Sequence, residues 1–216
     1  MLDRLRARVP HEEFDYAALI DGLRSYARPR DHITTLLRRR AIIRVKKGLY
    51  VFGPTFRRAP FSRELLANLI YGPSYVSLEW ALSFYGFIPE GVDTVTSVTT
   101  AKPRVFATPV GRFTYWPVPE AVFWMGIDRI DTGDGRAFLM ATREKALCDI
   151  VVRRRRAEIR TLRHLETCLA VDLRIDLGEL HVLDAALVGA IARRWRSRRL
   201  RLLAGLLARF REPADE

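Results

Sequence analysis

The chain is poor in cysteine, histidine and lysine, and it has no long apolar run. Two cysteines, Cys148 and Cys168, are too few for a metal cluster. Both fall in apolar helical patterns and read as reduced, buried thiols of a cytoplasmic protein. The four histidines, His11, His32, His164 and His181, are scattered without metal-ligand spacing, so no metal is expected. There is no phosphate-cradling glycine loop, nucleophile elbow or HExxH. Asp131-Thr132-Gly133-Asp134-Gly135 lacks the acidic alternation and distal Glu of a calcium loop, and reads as a β-turn. Glu144 and Asp149 lie five residues apart and do not share a helix face well, so capping and solvation account for them. These absences argue against an enzyme, and no cofactor is expected. No apolar segment reaches the about 20 residues that span a bilayer, and MLDRLRARVP lacks the apolar stretch of a secretion signal. A cytoplasmic protein that makes no membrane contact is expected.

Basic residues are what the chain has in excess. It carries 33 Arg but only 4 Lys, with a net charge of +12. Residues 1–60 hold 14 basic against 6 acidic residues, a net of +8, so two-thirds of the excess lies in the first quarter. A segment this basic attracts polyanions, and phosphate contacts supply most non-specific affinity for DNA.

Residues 31–52, DHITTLLRRRAIIRVKKGLYVF, carry the most specific pattern. Asp31 is a good N-cap, and Ile33, Leu36 and Leu37 recur at i, i+3, i+4 as one apolar stripe. Thr35, Arg38 and Arg39 fall on the opposite face. The pattern then turns β-branched through Ile42, Ile43 and Val45, breaks at Lys46-Lys47-Gly48, and resumes at Leu49–Phe52. Gly48 suits the positive φ of a tight hairpin turn. Half of all the lysines sit side by side at that turn. A helix with a basic outer face followed by a basic hairpin predicts a winged helix-turn-helix over residues 1–60. Thr35, Arg38 and Arg39 would face base edges in the major groove, and Arg44, Lys46 and Lys47 would hold phosphates. Double-stranded DNA is the expected partner.

The expected fold class is α+β. Short helices precede Asp31, at Leu2–Arg8 and Asp15–Tyr26, and Pro54–Pro60 has the proline and charge of a linker. Residues 61–216 would form a second domain. Helices within 61–86 are capped by Ser62 and Ser77, with Trp80 and Phe84 in the core. Strands within 92–141 predict an antiparallel sheet, and helices fill 142–211, the first capped by Thr142. No acid occurs between Asp184 and Glu212, whereas eight arginines do. Arg194, Arg198 and Arg201 on this last stretch are candidates for a second surface that meets nucleic acid or a protein partner. The alternative is a terminal helix docked on the core with its arginines reaching into water.

Several segments together resemble the AbiEi-like antitoxins of type IV toxin–antitoxin systems. They are IIRVKKGLYVFG, YGPSYVSLEWALSFYGFIPE, VTSVTT with TPVGRFTYWPVP, ATREKALCDIV and LAVDLRIDLGELHVLD. The resemblance implies an N-terminal winged helix-turn-helix that represses its operon by binding operator repeats. It further implies a larger C-terminal domain that antagonises a nucleotidyltransferase-like toxin. A stand-alone winged-helix regulator is the nearer alternative, and an enzyme acting on nucleic acid the more distant one.

Overall fold

A computed structural model describes residues 2–154 and 159–210. The first unit runs α1 (Leu2–Arg8), β1 (Glu13–Asp15), α2 (Tyr16–Gly22), α3 (Pro29–Arg38), β2 (Ile42–Lys46) and β3 (Leu49–Phe52). Its strands form an antiparallel sheet in the order β1-β3-β2. Asp15 caps α2 by accepting from the Ala18 N–H. Asp31, expected as the cap of α3, instead lies in its first turn. Pro29 takes the first helical position, where its fixed φ and missing N–H suit a helix start, and so moves the start upstream. Leu5, Val9, Phe14, Leu19, Leu23, Ile33, Leu36, Ile42, Tyr50 and Phe52 close into one core.

Strand β3 belongs to that core and to another. Side chains alternate across a strand, so Tyr50 and Phe52 face the first core while Leu49 and Val51 face a second, larger one together with Val45 of β2. All four residues of β3 are buried. The junction is also tied by two acids. Buried Glu12 accepts from Arg6 at 2.5 Å and from the Arg58 and Ala59 N–H groups at 3.1 Å each. Buried Glu13 accepts from the Ser62 N–H and from Arg136. The segment expected as a free linker is therefore held in place by the unit it leaves.

The larger unit contains α4 (Arg63–Ile70), β4 (Ser74–Val76), α5 (Leu78–Phe84), β5 (Val95–Thr99), β6 (Arg104–Thr108), β7 (Gly111–Pro117), α6 (Glu120–Phe123), β8 (Ile127–Asp131), β9 (Ala137–Ala141) and α7 (Arg143–Arg153). Ser62 caps α4 through the Leu65 N–H, and Thr142 caps α7 through the Lys145 N–H. The six strands order as β6-β7-β5-β4-β9-β8. The expectation of an antiparallel sheet is corrected here, because β4 pairs parallel to β9 and β5 parallel to β7. The reason is topological. Edge strand β6 folds back on β7, which then arrives alongside β5 in the same direction, and β4, to which the sequence reading gave no element, wedges between β5 and β9. Phe84, expected in the core, is 50% exposed, and Trp80 is half-buried with its indole N–H on Glu64.

Helices α8 (Leu162–Thr167), α9 (Ala185–Trp195) and α10 (Arg198–Arg209) follow, with a π-helical turn at Cys168–Asp172 and a 3-10 helix at Leu177–Val182. The helix expected from Arg193 to Phe210 is interrupted: Arg196 adopts a left-handed φ of 54°, and Ser197 caps a new helix. Both cysteines are buried and free, and burial pushes their thiols up.

The core of the larger unit contains an ion pair that the sequence reading missed. Lys145 and Asp149 stand one turn apart on the buried face of α7, with Lys145 Nζ 2.8 Å from Asp149 Oδ1 and both side chains fully inaccessible. Tyr75 and Ser77 donate to the other carboxylate oxygen at 3.0 and 2.8 Å. Asp149 is thus neither a cap nor solvated, because its helix is packed on nearly every side. Burial, with the neighbouring carboxylate second, pushes the Tyr75 phenol far above its ordinary range. Removing one partner of a buried pair leaves an uncompensated charge. Asp149→Ala is expected to destabilise the protein by about 3–5 kcal/mol in urea unfolding. The double change Lys145→Met, Asp149→Leu should recover most of that loss.

Candidate nucleic-acid interface

Helix α3 is anchored from within by Ile33 and Leu36. That anchorage leaves Asp31, Thr34, Arg38 and Arg39 exposed, with Thr35 half-buried beside them. Thr34 and Thr35 donate their hydroxyls to the carbonyls of Arg30 and Asp31, at 3.2 and 3.0 Å. Thr35 therefore presents a methyl group and acceptor lone pairs, but its hydroxyl proton is occupied. Arg38 closes the helix, Arg39 is its C-cap, and Arg40 takes a left-handed φ of 52° to turn the chain into β2. Gly53 is required by this turn, since a Cβ there would lie 1.8 Å from the Arg40 carbonyl oxygen. The helix end and the hairpin base are consequently fixed against one another.

The hairpin places Arg44 and Lys47 in solvent, with Gly48 at a φ of 88° in the turn. Lys46 is committed differently. Its ammonium donates to the Ile70 carbonyl at the end of α4 at 2.6 Å and lies 5.9 Å from the Phe106 ring of β6. A β-bulge between Arg44 and Lys46 accompanies this placement.

The electrostatics follow from where the acids went. In the first unit Asp21 pairs with Arg8 and Arg24, Asp15 caps α2, and Glu12 and Glu13 are buried at the junction. Arg38, Arg39, Arg40, Arg44 and Lys47 are exposed and have no carboxylate partner among the described residues. These five cations thus stand at the end of α3 and on the hairpin, while Asp31 is an exposed acid in the first turn of the helix. Arg28 and Arg30, also exposed, border a shallow groove with Tyr16 and Ile20 at the start of the same helix. The sequence reading passed over Arg28, Arg30 and Arg40. The RPR turn and the run of three arginines were the signals that could have found them.

The second expected surface does not converge in the same way. Arg194 on α9 donates to the Ala121 carbonyl at 3.3 Å, tying α9 to α6. Arg198 on α10 reaches the Arg160 carbonyl at 3.5 Å, and Arg201 is exposed one turn further on. Arg211 of the same basic stretch lies outside the described residues. Leu200, Leu203, Leu206 and Leu207 bury the inner side of α10. This arrangement matches a docked helix with peripheral arginines. No helix among the described residues is long and apolar enough to cross a membrane.

No protein-family model matches the chain, and none of the curated proteins matches it.

The two neighbouring lysines should separate cleanly on mutation. Lys47→Ala is expected to weaken DNA binding on every sequence and to reduce the salt slope by about one unit, without changing stability. Lys46→Ala should instead cost about 0.5–1.5 kcal/mol of stability, measured by urea unfolding, and leave the salt slope nearly unchanged. The opposite pattern would place the Lys46 ammonium on phosphate.

Proposed function

We propose that this chain is a double-stranded-DNA-binding transcriptional repressor whose first unit acts as a winged helix-turn-helix. The observation that carries the reading is the group of exposed cations Arg38, Arg39, Arg40, Arg44 and Lys47 at the end of α3 and on the hairpin, none with a carboxylate partner among the described residues. The element order supports it: helix, strand, helix, helix and hairpin, with the first strand paired to the last, is the order of a winged helix-turn-helix. In this reading α3 enters the major groove with Arg38 and Thr35 toward base edges, while Arg39, Arg44 and Lys47 hold the backbone. Asp31, exposed on the same helix, is a candidate acceptor for a cytosine amino group.

The protein acts by binding rather than by catalysis, in the cytoplasm, on operator repeats. The full engagement of Asp149 by Lys145, Tyr75 and Ser77 supports a structural role for the buried carboxylate. The resemblance to AbiEi-like antitoxins extends the proposal: the repressor is the antitoxin of a type IV system, controls its own operon and antagonises a nucleotidyltransferase-like toxin. That extension rests on the motifs of the larger unit.

Binding to the protein's own promoter, followed by fluorescence anisotropy over a salt series, tests the first half. Arg38→Ala should narrow the preference for promoter over unrelated DNA by about 1–3 kcal/mol, whereas Arg44→Ala should weaken both equally. Equal affinity of the unmodified protein for promoter and unrelated duplex would refute a repressor. Co-expression of the full chain with a nucleotidyltransferase-like product of the adjacent gene tests the second half. Growth should be restored, and persistent toxicity in the presence of folded protein would remove the antitoxin role.

A further inference from the structure

The two faces of the six-stranded sheet differ in what covers them. Tyr115 reaches the Ala67 carbonyl of α4, on the side where the hairpin docks, while Tyr75 reaches Asp149 of α7 on the other. Neighbouring residues on a strand point to opposite faces, so Trp116 lies on the α7 side, away from the first unit. There a slot of about 270 Å³ opens between the end of β7, the start of α5, α7 and α9. Its lining includes the indoles of Trp116 and Trp195, the aliphatic side chains of Leu78 and Val152, and two ionic residues, Asp149 and Arg153.

Three features distinguish this slot from a packing defect. Trp116 is 40% exposed and is held by the Arg153 guanidinium, 4.9 Å above its ring. Leu78, on the wall, holds a left-handed φ of 60°, a strained conformation for a residue with a Cβ, and such strain concentrates at functional sites. The ionic groups are paired two by two: Lys145 with Asp149, and Arg153 with Glu79. The Arg153 guanidinium spends Nη2 on Glu79, and its Nε–H is buried without a hydrogen-bond partner among the described residues.

We propose that this slot binds a neutral, planar heteroaromatic molecule of about nucleobase size that turns a carbonyl or ring-nitrogen acceptor toward Arg153. Two indoles among aliphatic side chains favour a flat aromatic body. The balance of charge excludes an ionic ligand, which would be desolvated there without a counter-ion. Arg153 supplies the directional contact. The site is separate from α3 and the hairpin, and it stands whether or not the protein binds DNA.

The test uses the full chain labelled with nitrogen-15 and caffeine as the probe, since caffeine is neutral, fused-ring and rich in carbonyl acceptors. The four tryptophan indole N–H resonances are followed on titration, with Trp116→Phe and Trp195→Phe assigning two of them. Saturable shifts are expected at Trp116 and Trp195 and none at Trp80 or Trp124. Anionic 2-naphthoate and cationic 1-methylquinolinium should bind at least about tenfold more weakly. Arg153→Lys, which keeps the charge opposite Glu79 but loses the fork, should weaken caffeine about tenfold. Val152→Phe should fill the slot and abolish the shifts, and if that variant fails to fold the lysine variant still decides. Absence of a saturable shift up to about 10 mM caffeine, shifts centred on either of the other two indoles, or equal binding of the charged probes would each overturn the proposal.

Discussion

Strand β3 is the constraint on which both halves of the molecule depend. Four residues, Leu49-Tyr50-Val51-Phe52, place alternate side chains into two different cores, and none reaches solvent to a significant degree. Because the side-chain period of a strand is two, a slip of one residue would send each set to the other core. The hairpin turn at Gly48, the close approach of Gly53 to Arg40 and the Glu12–Glu13 pair all hold that register. The orientation of α3 relative to the larger unit is a consequence of this strand, because Ala41 N–H bonds to the Leu36 carbonyl and Gly53 N–H to the Ala41 carbonyl.

Polar groups are divided between the two regions in a consistent way. Where carboxylates are scarce, at the end of α3 and the hairpin tip, arginines stand free in water and their field adds up. Where carboxylates are buried, each meets donors from distant parts of the chain: backbone N–H groups at Glu12, Arg136 at Glu13, and the Tyr75 and Ser77 hydroxyls at Asp149, whose cation Lys145 stands on the same helix. The first arrangement suits an encounter with a polyanion. The second fixes which segments lie together, since an unpaired buried charge costs more than the pair contributes.

Local signals in the sequence were read correctly where one physical rule governs them. The apolar stripe of α3, the caps at Ser62 and Thr142 and the turn at Gly48 all follow from spacing and backbone preference. Illegible features depend on tertiary partners. Strand β4 is three residues long, too short for a pattern, and its parallel pairing with β9 depends on a segment more than sixty positions away. Ser77 was read as a helix cap, and it occupies that position, but its hydroxyl goes to Asp149 instead of the helix N–H groups. Lys46 was read by charge alone, and the Ile70 carbonyl that accepts from it could not be foreseen from spacing. At the candidate interface, Arg38, Arg39, Arg44 and Lys47 are exposed as expected, whereas Arg194 and Arg198 reach backbone carbonyls.

The sharing of β3 also bears on how long each half survives. Opening the first unit withdraws Leu49 and Val51 from the larger core, and opening the larger unit uncovers the back of the hairpin. Regions coupled in this way open as one cooperative unit rather than as two. A protease acting on the opened state would meet both halves at once. The molecule therefore has a single lifetime, and turnover withdraws everything it does in the same event.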